Sequence, residues 1–275
     1  MYELQKDKII IYDKSDFDAK DILECGQVFR FLRQQDGSYR ILSLDKKAII
    51  KTYEDKVVVY TDTPKYFEDY LDLKTNYKNI KAELSKFDEL KEPIKFGKGI
   101  RILKQDFFEA IISFIISANN NIKRIQSIIE KICISVGKNM GDYYAFPTLD
   151  QLLTLSVEDF KSFGAGYRAE YLYKTARLLK EIDLASWESL DTETLRDKLT
   201  TLYGVGPKVA DCILLFGVGK KDVFPVDTWI AKVYRDTYGG KLKNRKQIAK
   251  YLVSRFGDFS GYAQQYLFYS KRELS

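Results

Sequence analysis

The spacing of apolar residues changes at Pro64, and that change limits the folds open to the chain. Before it, side chains alternate as they do on half-buried strands. VFRFLRQ (Val28–Gln34) leads into Asp36-Gly37, a hairpin turn pair, and SYRILSL follows. AIIKTY and KVVVYTD flank Glu54-Asp55 as a second hairpin. Residues 1 to about 62 are therefore expected to form an antiparallel meander. After Pro64 the period is helical almost to the end. PKYFEDYLDL and NIKAELSKFDEL read as two helices, and Lys91–Gly99, with Pro93, Gly97 and Gly99, reads as a linker. Asp106 caps DFFEAIISFIIS, Asn119–Asn121 interrupt, and further helices follow, most bounded by Gly, Pro, Ser, Thr or Asp. The expected architecture is α+β: a sheet domain with two helices over residues 1–97, then an all-helical domain over 98–275.

Composition narrows the chemistry more than the fold. There is no histidine, which removes Ser-His-Asp triads, His-ligated metals and imidazole acid–base catalysis. Three scattered cysteines (Cys25, Cys133, Cys212) and no CxxC argue against a disulfide scaffold, a Cys₄ zinc site or a four-Cys iron–sulfur cluster. Any catalysis falls to Lys, Asp, Glu, Cys or Tyr. The net charge of +6 permits a polyanionic partner without demanding one. No segment approaches the roughly 18 apolar residues of a membrane span. AIISFIISA (Ala110–Ala118) is half that length and reads as a buried helix. The N-terminus lacks an apolar leader segment, so a cytoplasmic location is expected.

The most informative local pattern is TETLRDKLTTL–YGVGP–KVADCILLFGV, two helices joined by a tight glycine turn. Gly204 and Gly206 permit left-handed backbone, and Pro207 suits a first helical position. The amides of such a turn can hold a phosphate oxygen. Lys208 follows at once, where the helix dipole and partial desolvation both favour the neutral, nucleophilic amine. Asp227 precedes the helical run TWIAKVYR and looks like an N-cap whose carboxylate stays ionised. Each feature alone has a plainer explanation: an αα-turn, a phosphate-binding lysine, a cap. Together they place an amine and a fixed anion on adjacent helix starts beside a phosphate clamp. That pairing suits displacement at a sugar carbon, where an oxocarbenium-like cation needs stabilising.

LYGVGPKVADC followed by FPVDTWI resembles the helix-hairpin-helix, Gly/Pro-Asp superfamily of DNA glycosylases. Within it, CGQVFRF, SFIISANNNIKRI, GAGYRAEYL, the hairpin and GYAQQYLF, in that order, are similar to 8-oxoguanine DNA glycosylase. The resemblance implies a TATA-binding-protein-like sheet domain, a helical glycosylase domain and an active site between them. It implies a bifunctional enzyme acting as a monomer on duplex DNA with 8-oxoguanine opposite cytosine, with no cofactor or metal and no membrane. A length shorter than eukaryotic members implies a prokaryotic, nucleoid-associated form.

By the same resemblance Lys208 is the nucleophile at C1′ and then the Schiff-base amine for β-elimination, and Asp227 stabilises the developing cation. Gly26 supplies the carbonyl that accepts N7–H of 8-oxoguanine and repels N7 of guanine. Glycine suits it, because a side chain would block close backbone approach. Gln264 reads the Watson–Crick edge. Phe268 and Cys212 sandwich the ring, although by composition both would be core residues. Asn119, Arg124 and Arg168 hold the estranged cytosine, Tyr167 is the wedge, and Gly204 and Gly206 belong to the DNA-gripping turn. Trp229 stands two after Asp227, where many relatives carry His. The competing readings are a glycosylase for another damaged purine, such as an alkylated base, and a non-catalytic hairpin module that only binds DNA. Lys208 paired with Asp227 argues against the latter.

Overall fold

The computed structural model describes residues 1–274. Six strands form one antiparallel sheet: β1 (Tyr2–Leu4), β2 (Lys8–Ile11), β3 (Phe31–Arg33), β4 (Tyr39–Ser43), β5 (Lys46–Thr52) and β6 (Val57–Tyr60), in the order β1-β2-β6-β5-β4-β3. The expected meander is strands β3 to β6, and β2 and β1 extend it by pairing beside β6. Of the expected strand 28–34, only Phe31–Arg33 pairs. Val28, Phe29 and Arg30 are buried, and the Arg30 guanidinium donates to the carbonyls of Leu44 and Tyr144 at 3.2 and 2.6 Å.

A helix unforeseen in the sequence, α1 (Ala19–Glu24), separates β2 from β3. Asp18 caps it by accepting from the amide of Asp21, and it buries Ala19, Ile22 and Leu23 against the sheet. It ends at Cys25, and Gly26 turns the chain with φ +87°.

Three helices follow: α2 (Pro64–Tyr70), α3 (Tyr77–Leu84) and α4 (Asp88–Phe96). The expected linker at 91–99 is thus corrected, since Lys91–Phe96 complete α4. Pro93 removes one helical amide, but the helix buries Leu90 and Ile94, and that burial outweighs the missing bond. The expected division of packing near residue 97 also moves. The sheet core holds Ile9, Ile41, Ile50, Val59, Phe67 and Leu71, whereas Tyr77, Ile80, Leu84, Leu90 and Ile94 join the helical core.

The helical body continues with α5 (Phe107–Ser117), α6 (Ile122–Val136), α7 (Leu149–Leu153), α8 (Val157–Ser162), α9 (Arg168–Leu179) and α10 (Leu184–Glu188). It closes with α11 (Thr192–Leu199), α12 (Pro207–Ile213), α13 (Thr228–Tyr238), α14 (Arg245–Phe256) and α15 (Ser260–Glu273). As expected, Asp106 caps α5, and the asparagine run ends it, with Asn121 capping α6. Helix α5 is buried on nearly every side and is the central rod of the body. No described helix is long and apolar enough to cross a membrane.

Polar contacts lock the two bodies together. Glu109 on α5 accepts the amide of Leu44 at 2.8 Å and sits 3.7 Å from Arg30. Gln27 is fully buried: its Nε2 donates to the carbonyls of Ile22 and Arg101, and its Oε1 accepts the Leu103 amide at 2.9 Å. A buried amide with its donors and acceptor matched holds its neighbours in one geometry.

Candidate active site

Helices α11 and α12 form the hairpin. Gly204 lies at φ +81°, the left-handed conformation the turn requires. Gly206 does not use the left-handed freedom that glycine permits: its φ is −86°. Gly206 contributes bareness instead, because a β-carbon there would meet nothing within 4 Å. Pro207 opens α12 and Lys208, half-buried, is its second residue. Behind the hairpin, Tyr171 of α9 fills the space under Gly204.

Asp227 is the N-cap of α13, accepting the amide of Ile230 at 2.9 Å. Its second oxygen makes no hydrogen bond among the described residues. Cys212, one turn after Lys208, is 4% exposed. Burial pushes its thiol above the ordinary range, Lys208 pulls it back, and Asp211 and Asp227 push it up. The thiol therefore feels the charge of both the lysine and the carboxylate. On the outer side, Lys208 borders a groove between Gly206, Pro207 and Val209 and the start of α14, where Arg245 and Lys246 stand. Trp229 is half-buried in the first turn of α13.

The predicted base-reading residues converge from distant parts of the chain. Gln264 and Phe268 lie one turn apart on α15, and Gly26 packs against that helix. A β-carbon on Gly26 would stand 3.1 Å from Cε1 of Phe268 and press on that ring, and the φ of +87° favours glycine in its own right. The amide of Gln264 is 4% exposed, yet it is almost unused. Its Nε2 reaches the Pro225 carbonyl only at 3.4 Å, and its Oε1 has no partner among the described residues. A buried amide left unsatisfied costs stability, so its retention points to a ligand that completes it.

Gln265 was not foreseen. It donates to the Cys25 carbonyl at 2.8 Å and so ties α15 to the turn before Gly26. The sequence signal was present, a second glutamine beside Gln264, but nothing local distinguishes an exposed glutamine from a clamped one.

Asn119, Arg124, Tyr167 and Arg168 also come together, but not all in the expected role. Asn119 is exposed at φ +49° in the turn between α5 and α6. Arg124 is exposed and donates to the Gly164 carbonyl at 3.0 Å. Tyr167 is 56% exposed, edge-on to Tyr171 at 5.8 Å and under the Arg168 guanidinium at 4.4 Å. Arg168, by contrast, is 3% exposed, and its fork is spent on main-chain carbonyls of Ala118, Asn119 and Ala165. As folded it props the Asn119 turn rather than offering a free donor pair. Gly164 and Gly166 turn the chain before α9 at φ +93° and +60°.

Residues 9–111 match the model of the 8-oxoguanine DNA glycosylase N-terminal domain, and residues 112–257 match that of the HhH-GPD superfamily base excision DNA repair protein. The N-glycosylase/DNA lyase OGG1 of Arabidopsis thaliana is 34% identical over 219 residues, covering 73% of this chain and 60% of its own length. The chain thus spans about three fifths of that relative. The N-glycosylase/DNA lyase of Saccharomyces cerevisiae is 28% identical, covering 93% of this chain and 84% of its own. Among solved structures, the Clostridium acetobutylicum 8-oxoguanine glycosylase/lyase in complex with double-stranded DNA containing cytosine opposite 8-oxoguanine superposes with a TM-score of 0.94. It is 41% identical, with 100% of this chain and 98% of that one covered.

Proposed function

Because the chain belongs to the HhH-GPD superfamily of base excision DNA repair proteins and to its 8-oxoguanine glycosylase/lyase branch, we propose that it excises 8-oxoguanine from duplex DNA and then cleaves the strand. The observation that carries this reading is Lys208 at the start of α12, straight after a left-handed glycine turn, with Asp227 at the start of α13 and both charges felt by the buried Cys212 thiol.

The target carbon is unreachable in a stacked duplex, so the nucleotide is extruded. Lys208, as free amine, attacks C1′. The N-glycosidic bond breaks, its electron pair leaves with the base, and the base takes up a proton. The ionised Asp227 stabilises the oxocarbenium-like charge that develops on the sugar. Ring opening leaves a protonated Schiff base between Lys208 and C1′. Loss of a C2′ proton then expels the 3′ phosphate, and hydrolysis of the imine returns the lysine.

Lesion choice rests on Gly26, Gln264, Phe268 and Cys212. The Gly26 carbonyl accepts the N7–H that 8-oxoguanine has and guanine lacks. The idle Gln264 amide, a donor and an acceptor, pairs with the Watson–Crick edge. Phe268 and Cys212 take the two faces of the ring. Opposite it, Asn119 and Arg124 meet the estranged cytosine while Tyr167 enters the vacated stack and Arg168 holds the turn. Gly204 and Gly206 grip the backbone.

The test is borohydride trapping on an 8-oxoguanine:cytosine duplex. The wild-type protein gives a covalent complex, and Lys208→Gln binds the duplex without cross-linking. A Lys208→Gln protein that cross-links and nicks at the wild-type rate overturns the assignment.

A further inference from the structure

Arg272, two turns beyond Gln264 on α15, joins three parts of the base-reading site at once. Its Nη2 donates to the carbonyl of Glu24, the last residue of α1. A guanidinium at that position satisfies a terminal helix carbonyl and faces the negative end of the helix. Its Nη1 stands 2.7 Å from where a β-carbon of Gly26 would be, in contact with the turn itself. The same guanidinium lies over the Phe268 ring, 5.3 Å from its centroid, where a cation is attracted by the ring face. The side chain is 17% exposed, enough shielding to strengthen each contact. Gln265 pins the next carbonyl, that of Cys25. Two successive carbonyls ahead of Gly26 are thus tied to the helix that carries Gln264 and Phe268.

We propose that Arg272 is a positioning residue for lesion recognition: it fixes the Gly26 carbonyl and the Phe268 ring as one unit. It does so through a planar cation that bonds the Glu24 carbonyl, two residues before Gly26, and stacks on the Phe268 ring. The proposal rests on the reading of the base site given above. It separates from that reading experimentally, because cleavage at a preformed abasic site uses Lys208 and Asp227 but no base pocket.

The experiment measures single-turnover excision of 8-oxoguanine beside strand cleavage at an abasic site, for wild type, Arg272→Ala and Arg272→Lys. Arg272→Ala is expected to lose about tenfold or more in excision, the order of effect of a displaced recognition group, while abasic-site cleavage stays within about twofold. Arg272→Lys, which keeps the cation but not the planar fork, recovers part of the loss. Equal slowing of both reactions, or no change in either, overturns the proposal. If wild type cleaves abasic DNA but does not excise 8-oxoguanine, the reading of the base site itself fails.

Discussion

A β-carbon on Gly204 would stand 2.8 Å from Cδ2 of Tyr171 and 3.0 Å from its Cβ, so the hairpin turn is seated directly on α9. Gly204→Ala therefore meets two penalties, the φ of +81° and the collision. A loss of roughly 1–3 kcal/mol is expected, read as a lower midpoint in chemical denaturation. Gly206→Ala meets neither, so it should unfold like the wild type yet bind duplex more weakly. Equal stability of the two variants would contradict this account of the turn.

Asp227→Asn keeps the capping oxygen that receives the Ile230 amide, so α13 and DNA binding should be retained. Its lost charge should slow single-turnover excision by roughly two to three orders of magnitude, the usual worth of one preorganised electrostatic group. Unchanged excision would leave Asp227 as a cap and nothing more.

Gln264→Leu is expected to do two opposite things. It removes a buried oxygen without a described partner, so the protein should gain on the order of 1 kcal/mol. It also removes the proposed reader of the Watson–Crick edge, so 8-oxoguanine excision should fall. Loss of stability together with full excision would place the amide in a structural role.

Lys221 gives a pH signature. The residue is half-exposed but its amine is not, and Nζ has no hydrogen-bond partner among the described residues. Burial draws it down from 10.5 to about 8, partly opposed by Asp72, while Lys104 lowers it further. Between pH about 8 and 10.5 the unfolded chain holds a proton that the folded one has released, so stability contributed by this group rises with pH across that window. Below about pH 8 the full penalty persists. Lys221→Met should therefore stabilise the protein at pH 7 by up to roughly 3 kcal/mol. The gain should shrink as pH climbs through the window, and a pH-independent difference in denaturation midpoint would refute the assignment.

Much of this molecule was legible in its sequence because the signals are local. Alternation gave most of the strands, and Pro207, Asp106 and Asp227 stand at the helix starts they were expected to open. What escaped depends on distant partners. Helix α1 has only six residues and forms because the sheet covers Ile22 and Leu23. Pro93 looked like a breaker until Leu90 and Ile94 had a core to enter. Arg168 reads as a solvated arginine or a base contact, and only the fold shows that Ala118 and Asn119 occupy it. The clamps on Gly26 reach across more than two hundred residues of chain and leave no periodic trace.

The turn at Cys25-Gly26 is tied to α15, whereas Lys208 stands at the start of α12, so the two lie on separate elements far apart in the chain. On the proposed reading, what is inspected and what is broken are consequently written in separate pieces of text. On that reading, a change in the short turn after α1 alters which damaged nucleobase is accepted while the amine, the carboxylate and the hairpin stay as they are. Innovation in substrate range then needs no rediscovery of the bond-breaking step.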